Sequence, residues 1–311
     1  MRIVFMGTPD FSVPCLKALC DAGHEVCAVF TQPDKPKGRG FKLLPTPVKS
    51  LAEELGIPVF QPLSLRRGED AENALETLHE LAPELIVVVA YGQILPPAVL
   101  ELPKYGCVNI HASLLPKYRG AAPIQRVILD GEKKTGVTSM QMAQGLDTGD
   151  MLLRAETEIG ENETGAELHD RLSLLGARVL VETVEQIGRG TIIPEKQDDS
   201  QTCYAAMITK EMSALDFSRP AHELHNVIRA ISGYTFYGGK RIKIYKSELS
   251  EKAISNAENG ELVESSPMLI KCGDGFGIIL RELQPEGGKR MSAEDFVRGY
   301  KPEKGTLFGT M

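Results

Sequence analysis

An Asn and a His stand two residues apart in the stretch Asn109-Ile-His-Ala-Ser-Leu-Leu-Pro-Lys-Tyr-Arg-Gly120. Asn109 offers a neutral amide donor, and His111 offers a donor that titrates near neutral pH. Asp147, in the stretch Gly145-Leu-Asp-Thr-Gly149, adds a carboxylate that can accept a proton or hold an imidazolium. The three side chains suit a reaction in which negative charge forms on a carbonyl oxygen while a nitrogen loses a proton.

A covalent acyl-enzyme is less favoured than direct transfer onto an amine. Ser113 follows His111 by two residues, but no G-x-S-x-G turn surrounds it. The six cysteines form no C-x-x-C pair, so we expect free thiols. His222 and His225 form an isolated H-x-x-H, which indicates one face of a helix; no metal site is predicted.

A sheet must position these groups, because apolar runs alternate with amphipathic segments through the first 190 residues. The predicted strands are Arg2–Met6, Glu25–Phe30, Pro58–Phe60, Leu85–Ala90, Gly106–His111, Gly136–Met142 and Asp150–Ile159. The predicted helices are Phe11–Ala22, Val48–Leu55, Ala71–Leu81, Ala121–Leu129 and Glu167–Ile187. Such alternation predicts an α/β fold with a doubly wound, mostly parallel sheet. Asn109 and His111 would then share one strand face.

The stretch after the first strand, Gly7-Thr-Pro-Asp10, has one Gly where a dinucleotide fingerprint needs three. A dehydrogenase is therefore disfavoured. Ligands of such sheets bind beyond the carboxyl ends of strands, which directs attention to the stretches after residues 6, 89 and 111.

A second domain is predicted after a linker. The alternation of apolar and amphipathic segments ends around residues 194–212, where polar residues dominate. The predicted helix Ala221–Ile231 and short alternating strands follow. These strands and their glycine turns predict a small β-barrel. We therefore expect a first domain over 1–193, a linker over 194–212 and an OB-like barrel over 213–311.

The charge distribution is uneven. The net charge of −7 argues against a general nucleic-acid binder, but residues 209–311 hold fifteen Lys or Arg against fourteen Asp or Glu. The stretch Asp34-Lys-Pro-Lys-Gly-Arg-Gly-Phe-Lys42 holds four cations and one acid. No apolar run approaches the roughly 20 residues of a membrane span. The sequence thus predicts a cytoplasmic protein with a basic loop over 31–48.

The central stretch, together with Ala122-Pro-Ile124 and Thr135-Gly-Val-Thr138 followed by Gly145-Leu-Asp-Thr-Gly149, resembles the signature of folate-dependent formyltransferases. The resemblance implies a Rossmann-like catalytic domain and 10-formyltetrahydrofolate as the formyl donor, without a metal. It fixes the chemistry better than the acceptor.

Three further stretches resemble the members of this family whose acceptor is methionyl-initiator tRNA. They are Met1-Arg-Ile-Val-Phe-Met-Gly-Thr-Pro-Asp-Phe-Ser12, Gln32-Pro-Asp-Lys-Pro-Lys-Gly-Arg-Gly40 and Leu283-Gln-Pro-Glu-Gly-Gly-Lys-Arg-Met-Ser-Ala-Glu-Asp-Phe296. The resemblance then implies formylation of the methionyl α-amine for translation initiation, by a monomer whose second domain binds tRNA. An amino-sugar nucleotide acceptor is the first alternative, and a non-catalytic folate- or tRNA-binding module is the second.

Site residues follow from the same resemblance. Asn109 and His111 would stabilise the oxyanion, and Asp147 would hold His111 and assist proton transfer. Folate contacts are expected at Tyr91, Gly92, Gln93, Ile94, Leu95, Ser113, Leu114, Leu115, Pro116, Gly145, Leu146 and Thr148. Contacts to the tRNA acceptor stem are expected at Lys35, Lys37, Arg39, Phe41 and Lys42.

Overall fold

The structure, a computed structural model, describes residues 1–37 and 42–309. Contacts divide it into two compact units. Unit 1 comprises Met1–Gly120, Thr135–Thr157 and His169–Ala205, and unit 2 comprises Ala121–Lys134, Glu158–Leu168 and the residues from Ala206 on. Consecutive domains over 1–193 and 213–311 stay a prediction. The contacts place two short segments, 121–134 and 158–168, with the later residues.

The elements up to residue 205 include most of those predicted. The strands are β1 (Arg2–Gly7), β2 (Glu25–Phe30), β3 (Lys35–Lys37), β4 (Lys42–Leu44), β5 (Val59–Phe60), β6 (Leu85–Val89), β7 (Cys107–His111), β8 (Arg119–Gly120), β9 (Lys134–Gln141), β10 (Met151–Glu158) and β11 (Tyr204–Ala205). The helices are α1 (Val13–Asp21), α2 (Pro47–Glu54), α3 (Glu69–Leu81), α4 (Pro97–Leu100), α5 (Pro123–Leu129) and α6 (Gly165–Arg189).

Seven strands form the sheet of unit 1, in the order β10-β9-β7-β6-β1-β2-β5. The pairs among β5, β2, β1, β6 and β7 are parallel. All five residues of β6 are buried, as expected for a central strand covered on both faces. The strand order reverses between β1 and β6, which is where ligands bind in sheets of this kind.

β9 departs from the parallel pattern, because it pairs with β7 in the antiparallel sense. Val108 pairs with Gln141, and His111 pairs with Thr138. The chain therefore leaves β9 beside the start of β7, where Met142 N donates to Cys107 O at 2.7 Å. The 142–150 loop must fold back along β7 to reach His111.

The first part of the predicted linker is built into unit 1. Residues 195–205, here called the strap, pair at both ends: Glu195 bridges to Met151, and β11 lies parallel to β8. Thr202 Oγ1 also donates to Pro116 O at 2.8 Å. The polar composition that predicted a linker comes from side chains that hydrogen-bond within unit 1.

Unit 2 is built on antiparallel strands, in the part of the chain where the sequence predicted a small OB-like β-barrel. Its later elements are α7 (Ala221–Ile231), β12 (Gly233–Tyr237), β13 (Lys240–Ser250), β14 (Leu262–Ser265), β15 (Met268–Lys271), β16 (Gly277–Pro285), β17 (Met291–Ser292) and α8 (Ala293–Tyr300). The sheet order is β12-β13-β16-β15-β14, with β17 paired to β16. Residues of α7, α8 and this sheet form one core, centred on Leu224, Ile244 and Phe296.

None of the helices in the described ranges has the length and apolar character needed to cross a bilayer.

Candidate active site

β7 carries the two predicted oxyanion donors on one face. Cys107 belongs to the core cluster formed with α3 and α4. Ile110 points the other way, where a Cβ on Gly176 of α6 would lie 3.1 Å from it. Because side chains alternate along a strand, Asn109 and His111 lie on the Cys107 side. Tertiary packing of Ile110 against α6 thus selects the strand face that Asn109 and His111 share.

One ring nitrogen anchors His111. Its Nε2 lies 2.9 Å from the carbonyl oxygen of Tyr118. A carbonyl oxygen only accepts, so Nε2 carries a hydrogen and donates it. Nδ1 is the nitrogen left for chemistry, and Asp147 Oδ2 lies 3.7 Å from it. The predicted pairing of His111 with Asp147 is therefore geometrically present.

Backbone and side-chain donors fix Asp147. Gly120 N donates to its Oδ2 at 2.8 Å, and Gln197 Nε2 donates to its carbonyl oxygen at 2.8 Å. Its φ of +52° is in the left-handed region, which non-glycine residues adopt only when their surroundings hold them there. The carboxylate is 12% exposed, so an imidazolium at His111 would meet a poorly hydrated counter-charge.

The loop after β6 uses its predicted folate residues in different ways. Tyr91 and Leu95 are buried in the core, and burial raises the pKa of the Tyr91 hydroxyl above its ordinary value. Gln93 ties down a neighbouring loop, since it accepts from Leu65 N at 2.8 Å. Ile94 is 63% exposed, and Gly92 turns with φ +87°. Backbone groups and Ile94 are therefore the parts of this loop that a ligand can touch.

The stretch after His111 is largely buried, although the resemblance implies folate contacts for it. Ser113 is fully buried, and its hydroxyl donates to Lys117 O at 2.7 Å. Leu115 packs in a small cluster with Met140 and Met151. The peptide bond between Leu115 and Pro116 is cis. Contacts of Ser113, Leu114, Leu115 and Pro116 with folate remain predictions, and the Ser113 hydroxyl is already occupied.

The glycine-rich loop before β10 exposes an apolar side chain. Leu146 is 56% exposed, and Thr148 folds over Gly145. Leu146 and Ile94 are thus two exposed aliphatic groups on loops predicted to flank the same ring system.

The chain matches known protein families over most of its length. Residues 1–184 match the family described as formyl transferase, and residues 207–301 match the formyl transferase C-terminal domain. The methionyl-tRNA formyltransferase of Citrifermentans bemidjiense is 49% identical over 99% of this chain and 96% of its own. That of Caldanaerobacter subterraneus subsp. tengcongensis is 48% identical over 99% of both chains. The chain belongs to the methionyl-tRNA formyltransferase family. It is a formyl-transferring enzyme.

Solved structures share the fold at lower identity. A Helicobacter canadensis N-formyltransferase, solved with folinic acid and dTDP-3-aminofucose, has a TM-score of 0.65 at 22% identity, over 90% of this chain and 98% of its own. HypX from Aquifex aeolicus, solved with tetrahydrofolic acid, has a TM-score of 0.65 at 16% identity, over 100% of this chain and 51% of its own. At identities of 22% and 16%, these two structures show only that this formyltransferase shares their fold.

Three site residues of this formyltransferase were missed from the sequence. Gln32 Nε2 is buried without a hydrogen-bond partner among the described residues, 3.8 Å from where a Cβ on Gly92 would lie. An orphaned amide donor beside the loop after β6 fits a polar heterocycle. The strap residue Gln197 donates to the loop of Asp147, and the buried Arg119 donates to Gln197. Only the position of Gln32 before the basic loop could have drawn attention to it.

The basic loop of this formyltransferase is partly described. β3 and β4 form an antiparallel pair. Lys35, at the start of β3, is exposed. The side chains of Lys37 and Lys42, and all of Arg39 and Phe41, lie outside the described residues. Asp34, the acid of this stretch, pairs with Lys49 at 2.7 Å, and hydrogen bonds from Lys49 and Gln61 lower its pKa. Its charge is therefore balanced by Lys49, which lies outside the run of loop cations.

Proposed function

We propose that this enzyme transfers the formyl group of 10-formyltetrahydrofolate to the α-amino group of methionyl-initiator tRNA. Membership of the methionyl-tRNA formyltransferase family supports the acceptor. The observation that supports the chemistry is the contact of His111 Nδ1 with Asp147 Oδ2. His111 lies on the same face of β7 as Asn109.

The amine nitrogen attacks the formyl carbon, and the carbonyl oxygen becomes an oxyanion. The Asn109 amide donates one hydrogen bond to it. His111 donates the other from Nδ1, since Nε2–H is engaged by Tyr118 O. His111 therefore acts as an imidazolium, whose charge Asp147 balances at 3.7 Å. Donors placed where charge develops in a dry site give the largest single contribution to such reactions.

A proton must leave the amine before the intermediate collapses. Asp147 is the carboxylate beside His111, and a water between it and the amine would carry the proton. The bond between the formyl carbon and N10 of the folate then breaks, and the proton passes to N10. The products are formylmethionyl-tRNA and tetrahydrofolate.

The folate ring is expected between the loop after β6 and the 142–150 loop. Ile94 and Leu146 supply exposed aliphatic contacts, and the buried Gln32 amide supplies a donor without a partner among the described residues. Backbone groups of Gly92 and Gly145 complete the proposed set. A flat heterocycle fits such an apolar slot with a few fixed polar groups.

Two surfaces of the chain suit tRNA. In unit 1 these are the predicted cations of the β3–β4 loop, which would meet phosphates of the acceptor stem. In unit 2, Arg241 lies 3.9 Å from the ring centroid of Tyr234, and Lys243 and Arg290 lie beside Tyr245. Cations interleaved with aromatic rings are typical of nucleic-acid surfaces. We place the reaction in the cytoplasm, where ribosomes use initiator tRNA, and propose a monomer.

Formylation of charged tRNA tests the proposal. The enzyme is incubated with 10-formyltetrahydrofolate and methionyl-initiator tRNA, with methionyl-elongator tRNA as the control, and N-formylmethionine is quantified. We expect formylation of the initiator species with a clear preference over the elongator. Formylation of a nucleotide-linked amino sugar but of neither tRNA would favour the sugar acceptor. Binding of both substrates without any product would favour a non-catalytic module.

A further inference from the structure

Gln197 of the strap uses its whole side-chain amide on the loop that carries Asp147. Its Nε2 donates to the carbonyl oxygen of Asp147 at 2.8 Å and to that of Gly149 at 2.7 Å. Its Oε1 accepts from Arg119 Nε at 2.9 Å. Both amide hydrogens and the oxygen therefore have partners in one small region.

Arg119 extends this network to the other side of the His111 contact. Its guanidinium is 10% exposed and binds Asp199 at 2.7 Å. Its backbone lies between Tyr118, whose carbonyl accepts from His111, and Gly120, whose N–H donates to Asp147. One side chain, Gln197, thus joins the two backbone segments that hold the two catalytic groups.

The strap holds Gln197 in turn. Arg119 N donates to Cys203 O at 3.1 Å, and Tyr118 N donates to Cys203 Sγ at 3.2 Å. With the β8–β11 pairing and the bridge of Glu195 to Met151, the segment is attached on both sides of residue 197. The matched family ranges end at residue 184 and resume at residue 207, so the strap lies between them.

We propose that Gln197 is a positioning residue for Asp147, and that through this one side chain the strap supports the formyl-transfer site although it touches neither reacting atom. The inference rests on the proposed function. A loop of nine residues with a strained Asp147 needs an outside anchor, because its carbonyls at 147 and 149 point at Gln197 rather than into the sheet. Without that anchor the carboxylate drifts from Nδ1 of His111, and misplacement of about 1 Å costs up to roughly a hundredfold in rate.

Two variants of the full-length enzyme remove the anchor differently. Gln197→Glu keeps an acceptor for Arg119 and cannot donate to the two carbonyls. Gln197→Met keeps the length and has no donor. For both we expect kcat to fall about ten- to a hundredfold, while KM for the folate donor and KM for charged tRNA stay within about twofold. Gln201→Glu, an exposed change on the same strap, should leave all three parameters unchanged.

A double-mutant cycle separates positioning from general structure. If Gln197 acts through Asp147, then Gln197→Glu should cost little in an Asp147→Asn background, although it costs at least about tenfold in the wild-type background. Full additivity, or a kcat of Gln197→Glu equal to that of wild type, would overturn the proposal.

Hydrogen exchange gives a reading that needs no substrate. Backbone amides of residues 143–150 should exchange faster in Gln197→Glu and Gln197→Met than in wild type or Gln201→Glu. Unchanged exchange there would contradict the anchoring role even if activity fell. If wild-type enzyme formylated no tRNA, the proposed function would fail, and the exchange result would still decide whether Gln197 holds this loop.

Discussion

In the proposed mechanism, His111 works through one nitrogen only. The hydrogen bond from Nε2 to Tyr118 O engages the first donor and sets the ring orientation. Nδ1 then lies beside Asp147 and is left for the reacting carbonyl of the proposed reaction. The residue types pointed to this chemistry, since an amide, an imidazole and a carboxylate are what an oxyanion and a departing proton require. The carbonyl of Tyr118, seven residues further along the chain, decides which ring nitrogen is left for this chemistry and which partner that nitrogen faces.

Replacing His111 by Ala should lower kcat about a hundredfold or more, because it removes an oxyanion donor that acts mainly in the transition state. Affinity for the folate donor, measured by isothermal titration, should stay nearly unchanged. His79→Ala, on α3, is the control and should keep wild-type kcat. A parallel loss of folate affinity in His111→Ala would argue for a structural role.

Gly149 shows how tightly the loop that carries Asp147 is closed. A Cβ at this position would overlap the carbonyl oxygen of Gln141, which is backbone and cannot move aside cheaply. The residue lies at the β9–β10 turn, where Gln141 N donates to Asp150 O at 2.8 Å. The local Gly and Asp content predicted a turn, and the structure adds the reason why one of its glycines admits no side chain.

We therefore expect Gly149→Ala to lower the Tm by roughly 2–12 °C, since overpacking costs about 1–3 kcal/mol and each kcal/mol shifts the Tm by about 2–4 °C. Formylation at 25 °C should fall as well. Gly188→Ala, within α6, is the control. Its new Cβ would lie 3.5 Å from the side chain of Met1, which is an ordinary contact distance. Equal Tm values for Gly149→Ala and Gly188→Ala would contradict the conclusion that position 149 admits no side chain.

α7 carries a buried His, His225, whose two ring nitrogens are both hydrogen-bonded. Nε2 of His225 donates to Glu161 O at 3.0 Å, and Nδ1 accepts from Ser247 at 2.9 Å. Burial lowers the pKa of His225 below its ordinary value. His222, the other member of the H-x-x-H, is exposed, so the two share a helix but not an environment.

A His whose pKa is lowered by folding binds fewer protons in the folded state. Its stabilising contribution is complete above the unfolded pKa of about 6.5 and is lost as the pH falls below that value. Between pH 7.5 and 5.5, amides of residues 221–231 should therefore lose protection against hydrogen exchange, after correction for the intrinsic rate. His225→Gln should flatten this dependence, and His222→Gln should not. The same slope in both variants would show that another group titrates.

At the scale of the whole molecule, an acidic protein must bind a polyanion. The net charge of −7 opposes tRNA, so local cationic surfaces have to attract it. The stretch 34–42 in unit 1 and the face of β12, β13 and the 285–290 turn in unit 2 each concentrate cations. The pairing of Asp34 with Lys49 leaves the first of these without a neutralising acid of its own.

Arg39→Ala and Arg241→Ala should each raise the apparent KM for charged tRNA and reduce the slope of log KM against log salt by roughly one unit. The KM for the folate donor should not change. Arg67→Ala, an exposed cation outside both of these stretches of sequence, is the control. If Arg67→Ala had the same effect, general charge rather than these two surfaces would govern tRNA binding.

The sequence by itself determined the sheet class, the strand-rich second part and the types of the proposed reacting groups. These follow from local periodicity and from motifs that lie within a few residues of one another. The elements it did not predict are short or depend on distant partners, such as α4, β8, β11 and β12.

Only the tertiary structure decided which groups meet. Asp147 reaches His111 because β9 runs antiparallel to β7 and its loop folds back, and strand direction is not encoded in hydrophobic periodicity. The strap was predicted as a linker because its side chains are polar. A polar side chain satisfied by a carbonyl far along the chain, as in Gln197 with Asp147, has the same local signature as one satisfied by water.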